Sequence, residues 1–375
     1  MAVLTNPTSN STLSPISIRD REALEQAISA GEIFNQQLFS QCDFSAANIG
    51  GGLFTDCSFT ECNFTKAQLI QCNFINCQFQ QCRFTETLWQ ECNVSQSELN
   101  NSHFSQSQLS GINLIECQLN DCRFDACDLT ESNITNSQCS RTTFAGSKLD
   151  HTSIIQCTLD ATDFSQTSLE RTNFIECSLI ESRFQQAYMQ QTLFEKPLLE
   201  NQDFSNMHMA MCQFRSAQMS GCTFTDSNLT QVAFVDAKLH RCNFDGVSAQ
   251  TILFYGSDLT GSSLKNALFD QASMQTSILS ACDFSGSSLV QAQMNNAVMQ
   301  NTQLKGCNLS YANLSNAVMS YTDFSNSELS STNLHAIIDH GAVWSGCNKF
   351  RALKTDEKRE RAELWKPAGT KRSTI

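Results

Sequence analysis

Large apolar side chains recur at every fifth position along most of the chain. The 61 positions from Phe34 to Leu334 hold Phe, Leu, Ile, Val, Met or Trp at all but two, Cys139 and Ala249, and no insertion shifts the phase. A period of five fits neither an α-helix nor a straight strand, whose side chains repeat every 3.6 and 2 residues. The pattern therefore predicts a chain that turns a corner every five residues and points one large side chain inward from each face.

Small side chains occupy a second regular position, two residues before each large one. From Cys42 to Thr332 this position is Ala, Cys, Ser, Thr or Gly at 52 of 59 sites. The exceptions are Ile112, Pro197, Gln202, Met207, Val232, Val247 and Ile252. Of the 19 cysteines, 18 belong to this class, counting Cys347, and no C-x2-C pair occurs. We therefore interpret the cysteines as small core residues and not as zinc ligands.

A period of twenty is superimposed on the period of five. Among the large positions, the class that runs 44, 64 and so on to 324 is Phe at 13 of 15 sites. This predicts four faces in each coil, so that residues twenty apart stack and one face carries a ladder of Phe rings. At four pentads per coil the array makes about 15 coils, which gives a rod of roughly 70 Å at a spacing of ~4.8 Å.

The repeated pattern, as in "CDFSA", "CNFTK", "SNLTQ", "ANLSN" and "TDFSN", resembles the pentapeptide-repeat family over residues 34–334. The resemblance implies an all-β fold, the right-handed quadrilateral β-helix with four pentapeptides per coil. We thus predict a β-helix solenoid of about 15 coils with short N- and C-terminal capping helices, because open solenoid ends need caps.

The segments outside the repeats predict the two caps. Residues 17–33 are predicted as a capping helix with Ser17 at its N-cap and Gly31 after its end, and a second helix is predicted from Thr355 to just before Pro367. Residues 1–16 and 368–375 are expected to be disordered, and residues 335–375 to form a C-terminal cap with a basic helix and tail. The absence of a membrane-length apolar run and of a signal-peptide pattern, together with unpaired cysteines, predicts a cytoplasmic protein without membrane contact.

The repeat region is acidic, but its charge density is low. Residues 34–334 carry 13 Lys and Arg against 28 Asp and Glu, a net charge of −15. Duplex DNA of the same length, ~70 Å, presents roughly 40 charges. Some pentapeptide-repeat proteins resemble DNA, bind DNA gyrase or topoisomerase IV and confer quinolone resistance, so this role is kept as the alternative. Direct binding of nucleic acid is not predicted.

No motif for catalysis or for a cofactor is present, neither H-E-x-x-H nor a glycine-rich phosphate loop, so the chain is predicted not to be an enzyme and to need no cofactor. One stretch is irregular, because three successive small positions become Pro197, Gln202 and Met207. A distorted coil is expected there. It is interpreted either as a repacked corner or as a soft metal site made of Met207, His208, Met209 and Met211.

Outward apolar positions predict contacts with proteins. One row of candidate contact residues follows the large position on a single face: Ile75, Ile115, Ile155, Ile175, Val235 and Tyr255. A second column, Ile278, Val298 and Val318, is a candidate homodimer seam, since family members often dimerise through their C-terminal coils. The predicted function is a rigid protein-binding scaffold. Long, uninterrupted pentapeptide-repeat proteins resemble accessory or effector-associated proteins of bacterial secretion systems.

Overall fold

The backbone turns because one residue in every pentad adopts a left-handed conformation. In the computed structural model, which describes residues 20–365, every fifth residue from Gly31 to Gly346 has a positive φ, including non-glycine residues such as Asp56 (53°) and Asn136 (51°). Left-handed backbone is costly for most L-residues. Its recurrence at each pentad makes the corners that the period of five predicted.

Successive coils pair in parallel with an offset of twenty residues. The pairing begins at Ile33↔Leu53 and its last rung is Asn333↔Leu353. The three-residue strands are β1 Ile33–Asn35, β2 Leu38–Ser40, β3 Leu53–Thr55, β4 Ser58–Thr60, β5 Asn73–Ile75, β6 Gln78–Gln80, β7 Asn93–Ser95, β8 Asn113–Ile115, β9 Asn133–Thr135, β10 Ser153–Ile155, β11 Asn173–Ile175, β12 Leu193–Glu195 and β13 Gln213–Arg215. Ten of them form one sheet and β2, β4 and β6 a second.

The regular strands cover nine turns between β1 and β13, fewer than the about 15 coils predicted from the sequence, because the later coils pair only through isolated bridges. Beyond β13 the same twenty-residue step continues as isolated bridges up to Leu353. The all-β solenoid is thus confirmed, and its regular strands occupy only the N-terminal part. The pairing also passes the predicted boundary at Leu334, so the solenoid extends about one coil further than the sequence pattern indicated.

Stacked aromatic rings fill the centre of the rod. Phe104 and Phe124 lie 4.6 Å apart between ring centroids with planes 6° from parallel, and Phe144 and Phe164 lie 5.4 Å apart at 4°. These rings are buried. Rings on adjacent faces also meet edge-on, as Phe164 and Phe174 do at 5.5 Å. Because each coil contacts mainly the coils above and below it, the core is a one-dimensional stack.

The small residues hydrogen-bond adjacent coils together. The Thr142 hydroxyl donates to the Leu119 carbonyl at 2.6 Å, 23 residues earlier, and the Cys157 thiol lies 3.4 Å from the equivalent carbonyl of Ile134. All 19 cysteines are free thiols. Burial raises the pKa of Cys157 to about 11. Cys157 therefore acts as a small, neutral donor in the wall of the solenoid.

A helix covers the N-terminal end. Helix α1, Arg21–Ser29, begins after Asp20, whose carboxylate accepts from the Ala23 backbone N–H at 3.0 Å. Asp20 thus occupies the N-cap position predicted for Ser17, which lies outside the described residues, as do residues 1–16. Leu24 is buried against the first coils, and Glu25 accepts from the Asn48 backbone N–H at 2.7 Å. These contacts tie α1 to the solenoid.

The C-terminal end carries a 3₁₀ turn, Lys349–Arg351, and helix α2, Glu357–Leu364. The carboxylate of Asp356 caps α2, and none of the helix residues is buried. Buried His335 accepts from the Asp356 N–H at 3.1 Å through Nδ1, while its Nε2 lies 3.2 Å from Glu363. Nδ1 is thus an acceptor, so the neutral ring carries its proton on Nε2 and donates to Glu363. Pro367 and residues 368–375 lie outside the described part of the chain.

Candidate protein-binding face

One face of the rod is a flat parallel sheet without charged side chains over much of its length. This neutral face is formed by β1, β3, β5 and β7–β13, whose middle residues point inward. From Leu53 to Leu193 none of its outward side chains is ionisable. Charged residues are depleted at the centres of protein interfaces, so such a surface is suited to contact with another protein.

An asparagine ladder runs along one edge of the neutral face. The Asn93 amide donates to Asn73 at 3.1 Å, Asn113 donates to Asn93 at 2.9 Å, and Asn133 donates to Asn113 at 2.9 Å. Each of these side-chain amides is therefore oriented by a hydrogen bond to the asparagine of the neighbouring coil. A ladder of this kind keeps polar groups on the face while satisfying them within the chain.

An isoleucine column runs beside the ladder. Strand pairing places Ile75, Ser95, Ile115, Thr135, Ile155 and Ile175 one above another. Ile115 is 41% exposed, and Ile155 and Ile175 are partly buried. Four of the predicted contact residues thus share one continuous column, in register with the asparagines.

Val235 and Tyr255 belong to the same column but are separated from the isoleucines. Glu195 and Arg215 occupy the two intervening rungs, because β12 pairs with β13 through these residues. Tyr255 is 48% exposed. The predicted row is therefore two surfaces: an isoleucine part from Ile75 to Ile175 and a shorter part beyond the charged pair.

The corner next to the neutral face carries charges that are locally paired. Gln156 donates to Glu176 at 3.0 Å, and Lys196 donates to the same carboxylate at 2.9 Å. Lys196 and Gln156 hold the pKa of the Glu176 carboxyl below its usual value. The rim of the face is thus polar and internally satisfied.

The candidate dimer seam is a second column of aliphatic residues. Ile278, Val298 and Val318 pair in succession, and the column continues to exposed Ile338. Near this end of the rod Phe350 is 79% exposed. The column that contains the predicted seam thus includes one further exposed aliphatic residue, Ile338.

The irregular coil is interrupted at Gln202 and Met207 but not at Pro197. The Leu198 N–H still donates to Cys177 at 2.9 Å, and the Pro197 carbonyl accepts from Gln218 at 2.9 Å. At the neighbouring corners of this face, from Cys157 to Ala237, the small residue's N–H makes no backbone turn bond, so proline removes no donor that is used there.

The four candidate soft metal ligands do not converge. Met207 and Met209 are buried on the inner side of the wall, whereas His208 between them is exposed. Met211 lies outside and accepts weakly from Gln191 at 3.6 Å. Within residues 20–365 no group of three His, Cys, Asp or Glu side chains is placed to hold a metal ion. The soft metal site is therefore not formed by this geometry.

Two sequence profiles match the repeats. The profile described as "Pentapeptide repeat region" matches residues 91–154, and that described as "Pentapeptide repeats (8 copies)" matches residues 38–75, 157–195, 199–231, 212–248, 277–310 and 297–335. The chain belongs to the pentapeptide-repeat family. No match was found among curated proteins. In the described part of this pentapeptide-repeat protein, no helix is both long and apolar enough to span a bilayer.

Solved structures of other pentapeptide-repeat proteins resemble the chain. One is HetL, involved in heterocyst differentiation regulation in the cyanobacterium Nostoc, with 18% identity, coverage of 73% of this chain and 91% of HetL, and a TM-score of 0.25. Another is full-length QnrB1, a plasmid-mediated fluoroquinolone resistance protein, with 16% identity, coverage of 59% and 90%, and a TM-score of 0.22.

Sequence reasoning found the isoleucine column but not the asparagine ladder. The signal was present, since Asn73, Asn93, Asn113 and Asn133 are twenty residues apart and each precedes a large inward residue. Asp or Asn is common at that position of the repeat throughout the chain, so the pattern did not distinguish this face. Only the side-chain geometry separates a ladder from isolated amides.

Proposed function

We propose that this pentapeptide-repeat protein is a non-enzymatic, rigid scaffold that binds a partner protein through its neutral face. The observation that carries this proposal is the isoleucine column from Ile75 to Ile175, aligned beside an asparagine ladder on the uncharged stretch of the sheet. Exposed aliphatic rows on a flat surface mark sites of protein contact. Such a rod could act as an accessory or effector-associated protein of a bacterial secretion system.

The neutral face supports the scaffold more than mimicry of DNA. A DNA mimic needs carboxylates spread along its surface at a density approaching that of phosphates. The isoleucine part of the face has none, and several corner carboxylates are paired with cations, as in Arg141–Asp121 and Lys196–Glu176. The free thiols suit a reducing compartment, so the proposal places the scaffold in the cytoplasm.

Affinity purification with matched variants tests the neutral face. Tagged wild type is compared with Ile115→Lys combined with Ile155→Lys, and with Leu268→Lys, an exposed apolar residue on another face. We expect a partner that resists moderate salt to be captured by wild type and by Leu268→Lys but lost from the double variant. Equal capture by all three proteins would contradict the use of this face. Gyrase or topoisomerase subunits released by salt would favour the alternative.

We further propose a homodimer through the column Ile278, Val298 and Val318. It is supported by the apolar continuation at Ile338 and the exposed Phe350. Replacing Ile278 and Val318 together by Lys should halve the mass measured by sedimentation equilibrium, whereas Leu268→Lys should leave it unchanged. A monomeric wild type at micromolar concentration would refute this part of the proposal.

A further inference from the structure

The backbone pairing between coils opens on two adjacent faces, between residues 180–189 and 200–209. One coil earlier, six hydrogen bonds join the same positions, among them Phe164 N–H to Arg183 at 2.7 Å. One coil later the six recur, as in Phe204 N–H to Thr223 at 2.8 Å. In between, six amides lack a backbone acceptor: Glu181, Phe184, Gln186, Met189, Asp203 and His208. The remaining two faces keep their pairing, so the opening is a wedge.

The wedge follows from two long side chains in the column of small residues. Gln202 and Met207 are buried. The column of Gln202 is otherwise Cys, Ser or Thr from position 42 to 322, and the column of Met207 is otherwise Ala, Ser, Thr or Cys except at Val247. The rings of Phe184 and Phe204 are 5.7 Å apart and tilted by 34°, compared with 5.2 Å and 8° for the pair below. Bulk alone does not open the wall, because Val247 occupies the column of Met207 with its carbonyl still accepting from the Leu268 N–H at 2.9 Å. Gln and Met reach further from the backbone than a branched side chain does.

The wedge forms two grooves that meet at Gln185 and Asp203. One has a volume of about 500 Å³ and is lined by Tyr188, Met207 and His208, among others. The other has a volume of about 400 Å³ and is lined by residues that include Glu181, Glu200, Asn201 and Gln202. Both grooves border the coil edges whose amides and carbonyls are unpaired. Unpaired backbone groups and the side chains that line the grooves therefore lie next to each other in the opening.

The second groove is rich in acceptors without partners. The carboxylates of Glu181 and Glu200 make no ion pair or hydrogen bond, and Asp203 accepts only from the Ser205 N–H at 2.9 Å. Gln202 is 6% exposed, and its Nε2 donates to the Leu179 carbonyl at 3.1 Å. Its amide oxygen has no partner within the chain. Arg183, one coil below Asp203, forms no ion pair with these groups.

We propose that this opened coil binds an extended peptide segment of a partner protein that carries Lys or Arg. The unpaired backbone groups would hydrogen-bond the peptide backbone as an added strand does. The carboxylates and the Gln202 oxygen would receive the cationic side chain, since hydrogen bonds from a cation to a carboxylate are the stronger kind. The inference rests on the proposed protein-binding role but assigns a surface separate from the neutral face.

Fluorescence anisotropy with three labelled heptapeptides tests the assignment. The peptides alternate Thr with Lys, Gln or Glu, so that one side of an extended chain carries the varied residue. The full-length chain is compared with a closed variant, Gln202→Ser with Met207→Ala, and with the control Val247→Ala in the column of Met207. We expect the Lys peptide to bind about tenfold more tightly than the Glu peptide, and the closed variant to lose about tenfold in affinity.

Hydrogen exchange gives a second measurement on the same proteins. The six unpaired amides should exchange faster than their counterparts one coil earlier, and the Lys peptide should slow them. Equal affinities for the three peptides, no binding at about 1 mM, or undiminished binding to the closed variant would each overturn the proposal. If the peptide test fails while Ile115→Lys with Ile155→Lys still abolishes partner capture, the groove is refuted and the neutral face stands.

Discussion

Replacing Phe164 by Ala should be among the most destabilising single changes in this solenoid. Its ring is fully buried, stacked 5.4 Å from Phe144 and 5.2 Å from Phe184, with Phe174 edge-on at 5.5 Å. Truncation of a buried Phe costs ~3–5 kcal/mol. Since three aromatic contacts of about 0.5–1.5 kcal/mol each are lost together, we expect the upper half of that range. The cavity would lie between two coils that cannot collapse without breaking their backbone pairing.

Native-state hydrogen exchange is the appropriate assay, because a solenoid with nearest-neighbour contacts can open locally without unfolding as a unit. The reporters are the Phe144 N–H, which donates to Asp163 at 2.8 Å, and the Phe164 N–H, which donates to Arg183 at 2.7 Å. Both should lose protection by a factor that corresponds to about 4–5 kcal/mol. Amides near Phe284, several coils away, should keep theirs.

Cys157→Ala is the control for this substitution. The thiol lies at 3.4 Å from the Ile134 carbonyl and 3.3 Å from that of Ile155, which are weak contacts, and Ala occupies the same column elsewhere. We expect a cost below about 1 kcal/mol. A greater loss for Cys157→Ala than for Phe164→Ala would refute the interpretation of the cysteines as small core residues.

Two further predictions concern the thiols and the asparagine ladder. Burial raises the pKa of Cys157 to about 11 from its ordinary value of 9.0, so its contribution to stability is full below pH 9 and is lost as the pH rises towards 11. That loss is about 1.4 kcal/mol at pH 10, and thermal melting of Cys157→Ala should show a correspondingly weaker alkaline dependence. Asn113→Asp removes the donor to Asn93 and places two acceptors face to face, at a cost of about 1 kcal/mol in urea unfolding. Asn173→Asp, where the side chain makes no hydrogen bond, should cost less, and equal costs would contradict the ladder.

Much of the fold could be predicted because its information is local and repeated. Each pentad places one large residue inward and one left-handed residue at the corner, and twelve of the 15 glycines, such as Gly221, occupy these corners. At Gly221 φ is +75° and an added Cβ would lie 2.3 Å from the Asn201 side chain. Because no insertion interrupts the five-residue repeat, the pentads can stack in only one way. The repeat length, the face on which each pentad lies and the residues that point inward could therefore be predicted from the sequence.

The candidate sites depended on contacts between coils, which the period alone does not describe. The sequence marked Pro197, Gln202 and Met207 alike as irregular, yet only the last two open the wall. Proline is accommodated because its corner uses no N–H donor, whereas the length of Gln202 and Met207 must be fitted between coils. Likewise, the residue number of Val235 places it in the isoleucine column. The strand pairing shows that Glu195 and Arg215 lie between Val235 and the isoleucines, so that Val235 is not part of the same apolar surface.

The sequence by itself determined the solenoid, its inward residues and the role of its cysteines, because these depend on which residue occupies each place within a pentad. The tertiary structure alone decided where the ladder of coils is broken, which amides pair along the neutral face, and that Asp20 caps α1. Those features depend on side-chain length and hydrogen-bond direction between residues twenty apart. A repeated pattern of residue types does not specify either quantity.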